Sequence, residues 1–418
     1  MARAVAVLWL AAGFAGLLPA SGLGAAATSP SSLLISGAGD GHGVGMSQDG
    51  ALGYAEHGYT YQAILAHYYT GTALGTASPT QTVRVLLASG VGGMTISGAT
   101  KVNGRALSPR VSYRAAASGG ALLLRSRGHG GIRATQLLIA GRAPLHASGL
   151  GEYRGALELI DDGGAIDVIN VVGVDAYTQG VVAKEASASW PAAALEAQAV
   201  ASRTFALTSQ ERTGPDGFNV YPDTRSQVYG GVAAETPTTN AAVAATRGQV
   251  VTYAGKPVTT YFFASSGGFT EDIQNAFPGS PPEPWLRGVP DPFDAGPLHR
   301  WSRSFTFAQA TAMLSGLIKG SFTGIEVLKR GYSPRIVAAE VLGSSGNTPV
   351  SGPDLAARLG LPATWAYFSV SEDGRTHAEP DESSLPTPPT SPTTPSVTPT
   401  PTPKPTAAGG TPASARRR

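Results

Sequence analysis

Cysteine is absent from the 418 residues. Its absence excludes a disulfide framework, Cys-ligated zinc, iron–sulfur clusters and thiol catalysis together, while leaving export open. A strong excess of either charge is also lacking: 30 Lys and Arg stand against 28 Asp and Glu, a net charge of +2. A dedicated nucleic-acid binder would carry a clear basic excess, so no nucleic-acid partner is expected. Residues 385–418 carry Lys404, Arg416, Arg417 and Arg418 without an acid, whereas residues 28–384 hold 25 basic and 28 acidic residues. The folding part therefore reads as slightly acidic and the tail as basic. A membrane-length apolar run is missing as well. The run from Ala4 to Leu18 is short for a span, and Pro19 and the small residues ending at Ala27 fit a cleaved secretory signal peptide over 1–27. Export with no stable membrane span after cleavage is the expectation, and an uncleaved N-terminal anchor is the alternative.

Several sequence signatures are missing too. The glycine run Gly37-Ala38-Gly39-Asp40-Gly41-His42-Gly43-Val44-Gly45-Met46-Ser47-Gln48 lacks the third glycine of a dinucleotide fingerprint and the Lys-Ser/Thr of a phosphate loop. No G-x-S-x-G nucleophile elbow occurs. His42, His57 and His67 match no zinc spacing, so neither metal nor cofactor is expected.

What is present is ample for a core: 42% hydrophobic residues, with 5 Trp, 14 Tyr and 12 Phe. The pattern predicts an α+β protein. Residues 28–79 carry the glycine run and two short helices, the first stopped by Gly58 and the second capped by Thr60. Residues 80–172 form an antiparallel β-rich region, in which VRVLLA, RVSYRA, ALLLRS, ATQLLIA, ALELID and AIDVINVV alternate with turn residues. Residues 173–376 are mixed: a helix opening at Trp190-Pro191, strands at Gln249–Tyr253 and Pro257–Phe263, a helix at Phe307–Leu317, and strands near Ile325–Lys329 and Arg335–Val341. Residues 377–418 read as a disordered Pro/Thr-rich basic tail, or as a stalk through a cell wall.

Four segments hold candidate chemistry. His42 sits unshielded between glycines. Glu185 ends an apolar segment close to Trp190, where desolvation would raise its pKa as a general acid requires. A solvated Glu185 paired with Lys184 or a later arginine fits the same residues. Arg203 lies inside an alanine-rich helix and needs either a buried or a substrate partner. Ser265 and Ser266, in the loop Ser265-Ser266-Gly267-Gly268, offer hydroxyls to a sugar or simply turn the chain.

Together these strings resemble the SpoIID/LytB family (stage II sporulation protein D and the amidase enhancer LytB). The resemblance rests on VVAKEASASWPAAALEAQAVASRTFAL, DTRSQVYGG, YFFASSGGFTED, GHGVGMSQDGA with EHGYTYQAILAHYYTGT, and LGLPATW, and covers most of residues 35–375. Two features depart from the family pattern. Ala186-Ser187 follow Glu185 where Met-Pro is usual, and the GHGVGMSQ block precedes the Glu segment instead of following it. Such a permuted order is tolerable if the domain's ends lie close in space, and it implies that His42 and Gln48 return beside Glu185. The resemblance makes 173–376 the catalytic region, with 28–79 packing onto it. It implies lytic transglycosylation of peptidoglycan glycan strands, with Glu185 as single general acid and base and a 1,6-anhydro product. His42, Gln48, Trp190, Arg203, Gln227, Tyr229, Ser265 and Ser266 are then the substrate-binding candidates. It equally implies a second reading, a non-catalytic peptidoglycan binder that enhances a cell-wall amidase. A sporulation role attaches to the family name.

Overall fold

A computed structural model describes residues 31–127, 129–214, 216–372 and 375–378. The signal-peptide expectation for 1–27 lies outside the described residues, as does the expected tail apart from residues 377 and 378, which finish a short strand. The fold is α+β.

The chain starts with strand β1 (Ser32–Gly37), passes through the glycine run to a two-residue strand β2 (Met46–Ser47), and enters helix α1 (Gln48–Glu56). Ser47 caps α1 by accepting from the Gly50 N–H, and Gly58, with φ of +83°, follows the helix as a stop. Thr60 caps α2 (Tyr61–Tyr68), which buries Ile64, Leu65 and Tyr68 on one face; a short strand β3 (Ala73–Thr76) follows.

The next strands are β4 (Thr82–Val91), β5 (Met94–Val102), β6 (Arg105–Ala106), β7 (Tyr113–Ala117), β8 (Leu122–Ser126), β9 (His129–Ala134), β10 (Gln136–Ala147), β11 (Gly151–Tyr153), β12 (Ala156–Asp162) and β13 (Ala165–Gly173). They form one antiparallel sheet in the order β4-β13-β12-β10-β5-β7-β8-β9, with β6 beside β5 and β11 beside β10. Alternation along each strand places Met94 and Ile96, Tyr113 and Ala115, Leu122 and Leu124, and Ile166 and Val168 in a common core. The sheet curls so that β7 approaches β13 and β8 approaches β12 across that core.

Two helices follow, α3 (Val174–Glu185) and α4 (Ala192–Thr208), the latter opened by Pro191. From Ala194 to Ala206 nearly every residue of α4 is buried, and its polar members Gln198, Ser202, Arg203 and Thr204 are satisfied by internal hydrogen bonds. Its small side chains let α1, α2, α3 and the next helix, α5 (Pro237–Ala245), pack around it. Strand β14 (Gln249–Tyr253) pairs with β3 and with β15 (Lys256–Pro257), and β16 (Phe262–Phe263) runs parallel to β2. The continuous strand expected over 257–263 is thus two short pieces. The interruption lets the Thr260 hydroxyl donate to the Ala201 carbonyl of α4 and the Tyr261 carbonyl accept from Met46.

After a one-turn helix α6 (Ile273–Ala276), a third layer contains β17 (Trp301–Thr306), α7 (Phe307–Met313), β18 (Phe322–Arg330), β19 (Ile336–Gly343), β20 (Thr348–Ser351), α8 (Gly352–Leu359), β21 (Ala366–Glu372) and β22 (Arg375–Ala378). Helix α7 ends at Met313, short of the expected Leu317; Gly316, at φ +83°, lies just beyond it. The first strand, β1, lies between β17 and β21, with Ser32 opposite both Thr306 and Ser371. The N-terminal glycine segment is therefore stitched to the far end of the chain.

Candidate functional site

Glu185 is the last residue of α3 and is half-buried. Its Oε1 accepts from the Val228 N–H at 2.7 Å. Gln48, the first residue of α1, reaches it from the N-terminal segment: Gln48 Nε2 lies 3.1 Å from the Glu185 main-chain oxygen and 3.4 Å from Oε2. The same nitrogen is 3.4 Å from Gln198 Oε1. An amide nitrogen has two hydrogens and here faces three acceptors, of which the main-chain oxygen is nearest. Oε2 is therefore the less satisfied carboxylate oxygen and the place where a proton would sit. Burial raises the Glu185 pKa above its ordinary value, and the Val228 N–H and Gln48 offset part of that rise. The arrangement is a carboxyl group with one oxygen fixed by backbone and the other available for proton transfer.

Behind it lies a buried polar chain. Gln198 donates to the Ser202 hydroxyl at 3.0 Å, Gln227 Nε2 to the Ser202 carbonyl at 3.3 Å, and the Tyr177 hydroxyl to Gln227 Oε1 at 2.9 Å. Gln227 is 1% exposed, so it holds the segment of Val228 rather than facing solvent. Tyr229 is also buried, its hydroxyl donating to Asn170 Oδ1 at 2.8 Å and its ring packed on Gly180. Trp190 is half-buried and packs against the group formed by Val182, Ala186, Leu195, Ala199, Ala242 and Val243.

Arg203, among the substrate-binding expectations, has an internal partner. Its side chain is fully buried, Nε donates to Asp175 Oδ1 at 2.7 Å, and its other nitrogens reach the carbonyls of Ala199, Gln249 and Val243. A guanidinium spent on four protein acceptors ties α4 to α3, α5 and β14, and it leaves no fork for a sugar.

Ser265 and Ser266 are likewise wholly buried. Both hydroxyls donate to Asp294, at 2.9 Å and 2.7 Å, joined by the Ser47 hydroxyl at 3.2 Å and the N–H groups of Ser266 and Gly267. Burial alone would raise the Asp294 pKa, but hydrogen bonds from His299, Ser266, Ser265 and Gly296 outweigh it and hold the carboxyl well below its usual range. Asp294 thus clips the Ser47 turn to the serine loop. Its buried neighbour Asp291 accepts from the Tyr68 hydroxyl at 2.8 Å, and burial, together with the Asp294 charge, pushes its pKa up to about 7.

His42 is enclosed by Tyr261, Phe263 and Phe277, with ring centroids 5.1–5.9 Å away. Its Nδ1 accepts from the Val44 N–H at 3.0 Å. Burial, then the charge of Arg335, lowers its pKa to about 4, so the ring is neutral at physiological pH. None of these contacts is shared with Glu185, so the structure brings Gln48 to the carboxyl and gives His42 an aromatic setting of its own. Arg335, 1% exposed, lies under the glycine run and donates to the Gly41 carbonyl at 2.9 Å. A Cβ on Gly43, where φ is +88°, would stand 2.5 Å from Arg335 Nε, so glycine is required there.

The sequence reading missed Asp291, Asp294 and Arg335, although Asp-Pro-Phe-Asp-Ala-Gly holds two acids among turn formers. It also missed Val228, whose contribution is a backbone N–H that no side-chain pattern reveals.

A protein-family model described as SpoIID, stage II sporulation protein, matches residues 162–253. That span contains Glu185, Arg203, Gln227 and Tyr229 but neither the glycine run nor the serine loop. The chain is 34% identical over 157 residues to an uncharacterized protein of Brachyspira hyodysenteriae (strain ATCC 49526 / WA1), covering 37% of this chain and 42% of that one. It is 28% identical over 219 residues to stage II sporulation protein D of Bacillus subtilis (strain 168), covering 49% and 62%. It is 40% identical over 104 residues to the amidase enhancer of the same strain, covering 25% and 14%. The chain spans less than two thirds of each of these relatives.

Proposed function

The family match and the relatives support a place in the SpoIID/LytB family, and on that premise we propose that the protein acts on cell-wall peptidoglycan as a lytic transglycosylase outside the cytoplasm. The observation that carries this reading is the half-buried Glu185 carboxyl, with Oε1 anchored on the Val228 N–H and Oε2 left available.

Glu185, protonated, gives its proton to the glycosidic oxygen leaving N-acetylmuramic acid, and the C1–O bond breaks. The resulting carboxylate takes the proton of that sugar's 6-hydroxyl as its oxygen bonds to C1, closing a 1,6-anhydro ring. The internal hydroxyl replaces the water that an inverting glycosidase must activate, so one carboxylate suffices. Gln48 and Val228 keep the carboxyl aimed through both proton transfers. The exposed part of Trp190 offers an apolar face for a sugar ring.

A second reading is favoured by the 40% identity to a relative named amidase enhancer. In it the Glu185 site binds glycan and the protein stimulates an amidase without cutting. Incubating the protein and Glu185→Gln with peptide-bearing and peptide-free glycan strands, followed by mass spectrometry of released sugars, separates the two. Anhydro ends made only by the parent support the transglycosylase. Binding without cleavage, together with faster release of stem peptides by an added amidase, supports the enhancer.

A further inference from the structure

Charge within the folded part is segregated rather than slightly acidic throughout. From His57 to Gly151 the sequence contains no Asp or Glu, but it holds Arg84, Lys101, Arg105, Arg110, Arg114, Arg125, Arg127, Arg133 and Arg142. This stretch is +9 in a chain of net +2, so the remainder is −7. Arg84 pairs with Glu158 from outside the stretch. Lys101, Arg105, Arg110, Arg114, Arg125, Arg133 and Arg142 are all exposed, and among the described residues none is paired with a carboxylate. Elsewhere Arg154, Arg203, Arg212, Arg225 and Arg287 each meet an acid.

The β register places three of these arginines side by side. Arg114 on β7 lies directly opposite Arg125 on β8, and both alternate with core residues, so they share the outward face. Arg133 on β9 is opposite Leu123, two residues from Arg125 on that same face. Like charges directly across a strand pair destabilise a sheet, yet no acid interrupts this row. On β5, Thr95 faces Arg114, and the Ser97 and Ser112 hydroxyls bond each other at 2.9 Å beside it. The row crosses three adjacent strands at about 5 Å per strand, more than a single small anion can span. Six of the seven cations are arginine, whose planar fork pairs bidentately with phosphate oxygens. These strands stand at the opposite end of the sheet order from β4 and β13, which lead into α3 and Glu185.

We propose that the outward face of β7, β8 and β9 is a docking surface for a flexible, phosphodiester-linked polyanion of the cell envelope, held apart from the Glu185 site. The outward face of a continuous, curled sheet presents no helix or two-stranded ribbon for a duplex groove, and this favours a flexible single-chain polymer over double-stranded DNA. The proposal adds a tether to the wall reading above, but its binding test does not depend on glycan cleavage.

The test titrates the full chain with poly(glycerol phosphate), with polyglutamate, with duplex DNA and with neutral dextran at 50 and 300 mM NaCl. The parent should bind poly(glycerol phosphate) tightest and lose most of that affinity at the higher salt, as counterion release requires. The triple variant R114Q/R125Q/R133Q, all three positions being exposed, should lose at least tenfold in affinity and show a shallower salt dependence at an unchanged circular dichroism spectrum. Neutralising Lys404, Arg416, Arg417 and Arg418 should leave binding intact, as should Glu185→Gln. Equal binding by the triple variant, or loss only with the tail variant, would overturn the proposed surface. Tighter binding to DNA or to polyglutamate would overturn the assigned ligand. Salt-sensitive dimerisation abolished by the triple variant, without polymer binding, would assign the face to a second copy of the chain instead.

Discussion

Gln48 donates to the main-chain oxygen of Glu185 across 3.1 Å, although 137 residues separate them in sequence. This contact joins the first helix of the chain to the end of α3, and it makes the carboxyl's environment a property of two distant segments.

Glu185→Gln should retain the acceptor for Val228 but cannot give up a proton. Formation of anhydro ends should fall by at least about 100-fold, with glycan binding and the thermal unfolding midpoint unchanged. Cleavage persisting at parental rate would remove Glu185 from the chemistry.

The first step needs Glu185 protonated, so kcat/KM should fall as pH rises through its raised pKa. Gln48 is one of the groups that lowers this value. Gln48→Leu should therefore move the falling limb of the pH profile to higher pH, beyond any change in overall rate. A limb that stays in place would mean that Gln48 only braces the backbone.

Asp291 is fully buried and titrates near pH 7 in the folded protein, against an ordinary carboxyl value of 3.8. Between those values the folded state keeps a proton that the unfolded state releases, so stability should decline as pH rises from about 4 to 7, on the order of 4 kcal/mol in all, with more than half of the decline above pH 5. Urea unfolding at pH 5 and pH 8 should show this decline in the parent and a much smaller one in Asp291→Asn. Equal declines would assign the titration to another group.

Asp294→Ala strips the acceptor from three buried hydroxyls, from the N–H groups of Ser266, Gly267 and Gly296, and from the His299 ring. The loss should be about 3–5 kcal/mol. Faster hydrogen exchange should appear first over the glycine run 37–50 and the loop 265–268. Because Asp294 has a depressed pKa, its contribution in the parent persists at neutral pH and is lost only on acidification below the usual carboxylate range.

Arg203→Leu should cost about 3 kcal/mol in urea unfolding, because Asp175 loses its buried guanidinium partner and the carbonyls of Ala199, Gln249 and Val243 each lose a donor. The folded fraction should bind glycan as the parent does. A selective loss of binding with stability intact would return Arg203 to the substrate.

Much of the architecture was legible because it rests on local signals. Strand alternation between 80 and 172, Gly58 as the stop of α1, the cap at Thr60, and Pro191 ahead of α4 each fix an element within a few residues. The Gln48–Glu185 contact was legible only through the family resemblance, since no periodicity relates residues so far apart. For Arg203 the sequence left a buried and a substrate partner both open, and the inward turn of Tyr229 was not legible, because arginine and tyrosine serve sugars and buried pairs with the same atoms. Nor was the role of Ser265 and Ser266, which depends on Asp294 arriving from another loop. The segregated charge of the β-rich region was in the sequence throughout, but a net value over 28–384 averages it away.

The pairing of β1 with β17 and β21 also sets an order of assembly. A chain made from its N-terminus produces the segment carrying Gln48 first, yet the strand leading into that segment finds its two neighbours only when residues 301–306 and 366–372 exist. Pairings of such long sequence separation form late, after the closure entropy of the intervening loop has been met. The β-rich region and α4 have their partners much earlier. The strand ahead of the Gln48 segment therefore completes its pairing only after almost the whole described chain has emerged.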